Sequence, residues 1–137
     1  MKALCIAGLW LVCASFSGAQ ATTVPDFADF TKSSSEHIIN PIEKPFQVYS
    51  VAGTIRTERS GDALAEVLFE IEGPGTTRKI RHARTDKHGH FRISRVPRGT
   101  YRFKATLEGF QSVMGTIIVS DSKGASGEMA IHMSIGL

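Results

Sequence analysis

The chain has 137 residues, a formal net charge of +3 and two cysteines, and its first twenty or so residues differ in composition from the rest. Met1-Lys2 is followed by an apolar run from Ala3 to Phe16 and by small residues ending in Ala19-Gln20-Ala21, the order that marks a secretory signal peptide. Cleavage after Ala21 would leave 116 residues, Thr22 to Leu137, without Cys5 or Cys13, which excludes disulfides, thiolate metal sites and cysteine nucleophiles.

The apolar run is shorter than the roughly 20 residues a membrane span needs, so the chain is expected not to span a bilayer. Lipid attachment at Cys13 is the rival route of export, but Leu11-Val12 stands before that cysteine where a small residue is usual. Loss of Lys2 leaves a secreted or periplasmic chain of charge +2, large enough for one core without staples.

Residues 22–46 read as an irregular leader or linker. Val24-Pro25, Ser33-Ser34-Ser35, Pro41 and Pro45 punctuate it, and such residues favour turns and loops. Asp26 to Phe30 could form one helical turn with Phe27 and Phe30 on one side.

From Gln47 the texture becomes β-branched and aromatic, broken by Gly, Pro, Asp and Ser clusters. Tyr49, Val51, Gly53 and Ile55 share one face of the first run. Val67, Phe69 and Ile71 then alternate with Leu68, Glu70 and Glu72, predicting a half-buried strand with an acidic outer edge. The basic run from Arg78 to Thr85 alternates poorly. After the turn at Asp86 to Gly89, Phe91 and Ile93 point inward, with His90, Arg92 and Ser94 outward. Tyr101, Phe103, Ala105 and Leu107 alternate with Arg102, Lys104, Thr106 and Glu108, the clearest period of two in the chain. Val113, Gly115, Ile117 and Val119 follow, and Met129, Ile131, Met133 and Ile135 make the last strand. The pattern predicts an all-β domain over 47–137, a seven-stranded antiparallel β-sandwich. An immunoglobulin domain is disfavoured because the mature chain has neither cysteine nor tryptophan.

Three phrases stand in order: Val51-Ala52-Gly53-Thr54-Ile55, Thr85-Asp86-Lys87-His88-Gly89-His90-Phe91 and Val96-Pro97-Arg98-Gly99-Thr100-Tyr101, with Gly109-Phe110 behind them. Together they resemble the carboxypeptidase regulatory-like domain, a transthyretin-like sandwich, over about Val48 to Ile135. The physics of the phrases is structural. Asp86 can accept amide hydrogens in an Asx turn, Gly89 supplies a positive φ, and Pro97 with Gly99 shapes a second turn. Gly109 frees the backbone so that Phe110 can fold back over the sandwich end. The resemblance implies a non-catalytic accessory module, in a fold similar to some carbohydrate-binding modules.

Signs of chemistry are few. Transthyretin-like hydrolases of the purine pathway end in Tyr-Arg-Gly-Ser, whereas this chain ends Met133-Ser134-Ile135-Gly136-Leu137. No G-x-S-x-G elbow, phosphate loop or dinucleotide fingerprint occurs, and no cofactor is expected. Five histidines survive cleavage: His37, His82, His88, His90 and His132. His88-x-His90, with His82 across the turn, gives one alternative reading, a metal-binding or hydrolytic enzyme, and a purely structural envelope protein is the other. Exposed turn positions explain the same residues more simply.

Charge placement is the sharper signal. Between Arg78 and Lys104 there are ten basic residues against Asp86 alone, and the rest of the mature chain is net acidic. If the turns at Asp86–Gly89 and Pro97–Gly99 close hairpins, adjacent strands gather His90, Arg92, Arg102 and Lys104, with Arg84 nearby, into one basic face. Such a face would attract an acidic protein or an anionic polysaccharide. Nucleic acid fits an exported protein poorly, and the outward positions lack interleaved aromatics. Pairing of the stripe with Glu66, Glu70 and Glu72 is the internal alternative, and an open strand edge offers partner peptides a further route.

Overall fold

The computed structural model of the chain describes residues 29–33, 38–73 and 79–136. The expected signal peptide, Phe27, His37 and Arg78 lie outside the described residues.

Nine strands follow in chain order, with no helix among the described residues: β1 (Ile39–Pro41), β2 (Phe46–Val48), β3 (Val51–Thr57), β4 (Leu68–Glu72), β5 (Ile80–Arg84), β6 (His90–Ile93), β7 (Gly99–Thr106), β8 (Ser112–Val119) and β9 (Met129–Met133). Six form one sheet in the order β1-β8-β7-β4-β5, with β2 also on the β1 side of β8. The other three form a second sheet, β6-β3-β9. The all-β sandwich expected from alternation is what forms, with two more strands than expected. It is also not purely antiparallel: β1 and β2 run parallel to β8, and β3 runs parallel to β9.

Of the two added strands, β1 comes from the stretch expected to be leader and β2 straddles its end at Phe46. Pro41 and Pro45 break a strand pattern, yet Pro41 ends β1 and Pro45 stands just before β2, on a sheet edge where a missing N–H is tolerated. Between them the Ile42 amide donates to the Met114 carbonyl at 2.7 Å and carries the pairing along β8.

Inward residues of both sheets meet in one core. Val51 and Ile55 of β3, Phe91 of β6 and Ile131 of β9 lie with Phe69 and Ile71 of β4, Phe103 of β7 and Ile117 of β8. Phe69 is fully buried and joins the sheets, its ring centroid 4.1 Å from Phe91 and 5.3 Å from Phe103. Burying side chains of this size contributes about 1.5–3 kcal/mol each, and no cysteine stands among the described residues. Tyr49, expected on the core face, lies in the bend between β2 and β3 and is 61% exposed.

The expected hairpins are corners instead. Asp86–Gly89 carries the chain from β5 in the large sheet to β6 in the small one, and Pro97–Gly99 returns it to β7. Each corner is built as its residues suggest. Asp86 Oδ1 accepts the amides of His88 at 2.8 Å and His90 at 3.0 Å, and the Gly89 amide donates to the Asp86 carbonyl at 3.0 Å. Gly89 takes φ +77°, and a Cβ there would lie 2.6 Å from the Ile55 carbonyl oxygen. At the second corner the Tyr101 hydroxyl donates to the Pro97 carbonyl at 2.6 Å. Gly99 then opens β7 opposite Val119. Gly109, at φ +85°, turns the chain after Leu107, and its carbonyl accepts the Gly136 amide at 2.9 Å.

Candidate functional site

Strand order decides which basic side chains meet. His90 and Arg92 belong to β6, which pairs with β3, while Arg102 and Lys104 belong to β7 in the other sheet. Both pairs point outward, so they lie on opposite outer faces of the sandwich. The single basic face expected from the sequence does not form, because the corner at Pro97–Gly99 changes sheets where a hairpin would have kept the strands adjacent.

The large-sheet half of the stripe is used internally. Arg102 forms an ion pair with Glu72. Lys104 is 2% exposed, and its Nζ donates to the Thr31 carbonyl at 2.8 Å. The Thr31 amide and hydroxyl in turn donate to Glu70 at 2.9 and 2.6 Å, and Phe30 beside it is 3% exposed. Glu70 and Glu72 are therefore buried, not the exposed acidic edge that alternation predicts. Residues 29–33 cover what would be solvent-facing side chains.

The outer face of the small sheet stays open. Register places Arg92 opposite Ala52, His90 opposite Thr54, Thr54 opposite Ala130, and Arg56 opposite His132. Ala52 and Thr54 of the central strand β3 thus form a floor, with Arg92 and His90 of β6 on one side, His132 of β9 on the other and Arg56 at the far end of β3. Over this floor lies an open groove of about 410 Å³ lined by Ala52, Gly53, Arg84, Asp86, His90, Arg92 and Glu128. Arg84 and Arg56 are each steadied by a carbonyl, of Glu66 at 3.4 Å and of Gly61 at 3.0 Å. The Arg92 and Arg56 levels are four residues apart, about 13 Å at the usual strand rise.

Asp86 belongs to the corner more than to the groove. The His90 amide, then the His88 amide and the two neighbouring imidazoles, hold its carboxyl below the ordinary aspartate value against the opposing effect of desolvation. Burial pushes the Tyr101 hydroxyl up, with Arg81 opposing.

The histidine trio is not assembled. His82 stands opposite Glu70 on the large sheet, whereas the His88 and His90 rings sit 6.2 Å apart at the corner. Among the described residues no group of three or more His, Cys, Asp or Glu side chains is placed to hold a metal ion. A second hollow, of about 550 Å³, lies at the end of β3 and β9 between Thr57–Ser60 and Met133–Ile135 and is largely apolar.

Two parts of this arrangement escape a reading by strands in chain order. His132 joins Arg56 on the face only because β9 pairs in parallel with β3, a contact between the ends of the domain. Thr31 lies in a stretch without periodicity, and its role depends on partners 39 and 73 residues away.

No described helix is long and apolar enough to cross a membrane. A comparison with curated proteins finds no match. The family model of the carboxypeptidase regulatory-like domain matches residues 50–133, from the bend before β3 to the end of β9. With the sandwich, the Asx corner and the Tyr101-anchored turn in place, the chain belongs to the carboxypeptidase regulatory-like domain family.

Proposed function

We propose that this domain is a non-enzymatic, exported binding module whose β6-β3-β9 outer face takes a linear anionic glycan. The observation that carries this reading is the groove over Ala52 and Gly53, where Arg84, Arg92 and His90 converge beside two carboxylates. Guanidinium groups recognise carboxylate or sulfate. Carboxylates and imidazoles between them accept and donate hydrogen bonds to hydroxyls. That mixture suits a charged sugar chain better than a bare acidic protein surface. Cations at both ends of a 13 Å face favour an extended ligand over a single phosphate. Export rests on the Met1 to Ala21 leader.

The test is retention on an immobilised sulfated or uronic polysaccharide under a salt gradient. Arg84→Ala/Arg92→Ala should elute well before Arg98→Ala/Lys123→Ala, a pair of equal charge located elsewhere. Equal elution of the two would assign retention to net charge and refute the site. Retention on an acidic protein matrix alone would favour a protein partner.

A further inference from the structure

We propose that the outer face of the large sheet is a peptide-binding groove, occupied in this chain by its own segment 29–33, and that it takes an extended peptide bearing an aromatic residue followed by a hydroxyl residue. The recognition chemistry is already on display. Glu70 accepts both the amide and the hydroxyl of Thr31, Lys104 donates to the carbonyl of the same residue, and Phe30 is buried alongside. A carboxylate and an ammonium, opposite one another on β4 and β7, thus read the amide, side chain and carbonyl of one residue.

Both reading groups are buried, Glu70 at 5% and Lys104 at 2% exposure, although they stand on the outer face of a sheet. Burial of such groups is costly unless each is hydrogen-bonded, so the face is complete only with a peptide on it. Farther along the same face, Thr106 and Ser112 are buried with hydroxyls that make no hydrogen bond. The polar capacity of the face therefore exceeds what Thr31 uses. The segment itself adds no strand to the sheet. Ordering it costs chain entropy that offsets much of what its few contacts contribute. A segment held in this way can exchange with a competitor of the same chemistry, as local openings allow.

A fluorescent peptide spanning residues 26–35 is titrated into residues 22–137 and into their Phe30→Ala/Thr31→Val variant, which removes the buried ring and the hydroxyl and leaves the Thr31 backbone contacts in place. The peptide should bind the variant saturably and at least about tenfold more tightly than the unaltered chain, whose groove is filled in cis. Adding Lys104→Met should abolish that binding. No saturable binding to a cooperatively folded variant, or equal binding to both chains, overturns the proposal. If the variant does not fold, amide exchange in the unaltered chain decides. The Thr31 amide should exchange about a hundredfold faster than those of Ile71 and Phe103, and equal protection overturns the proposal.

Discussion

Asp86 Oδ1 accepts the amide of His90 at 3.0 Å, so the carboxylate that shapes the first corner also fixes the start of β6 and the place of the His90 imidazole on the open face. Because these hydrogen bonds lower the Asp86 carboxyl, the ionised form is favoured by folding. The stability this contributes is present above the ordinary aspartate value of about 3.9 and is lost as pH falls through the lower folded value. Asp86→Asn keeps an acceptor in the turn but not the charge. It should be less stable than the parent at neutral pH, and the gap should close below about pH 4. Thermal melts of both proteins across that range measure it.

Gly89 closes the same corner. Its φ of +77° and the 2.6 Å approach of a would-be Cβ to the Ile55 carbonyl make any side chain there strained. Gly89→Ala should cost roughly 2 kcal/mol or more, read from urea midpoints.

Phe69 is the ring that both sheets share. Phe69→Ala removes its stacking on Phe91 and Phe103 and opens a cavity at the centre of the sandwich. The expected loss is about 3–5 kcal/mol, large against the whole stability of a domain of this size. Denaturant unfolding monitored by far-ultraviolet circular dichroism checks it.

Tyr101 anchors the second corner through its hydroxyl on the Pro97 carbonyl. Tyr101→Phe keeps the ring in the core and removes that hydrogen bond, for a loss of about 1 kcal/mol. A loss no greater than that of an exposed surface change would show that the corner does not depend on it.

Much of the fold is legible along the chain because the core residues obey the period of two. Phe91 and Ile93, then Tyr101, Phe103 and Ala105, then Met129, Ile131 and Met133 are all inward as alternation requires. The local chemistry of the two turns is legible too, since the Asp86 carboxylate and the Tyr101 hydroxyl act on neighbours at most four residues away. Sheet membership was not. Local alternation is the same whether a turn keeps β6 beside β7 or sends it across the core, so the basic stripe was assembled on one face when the fold divides it between two. Alternation likewise makes Glu70 an outward residue, and the covering segment around Thr31, 39 residues away, is what makes it interior. Prolines 41 and 45 hid two edge strands because proline opposes strands in general but not at a sheet edge.

The role proposed for the β6-β3-β9 outer face is binding of a linear anionic glycan. The most direct measurement is a titration of isotope-labelled residues 22–137 with a uronic or sulfated oligosaccharide, followed by amide chemical shifts. Saturable changes confined to residues 52–56, 84–92 and 128–132 are expected. Changes centred on residues 98–104, or none up to millimolar ligand, would contradict it.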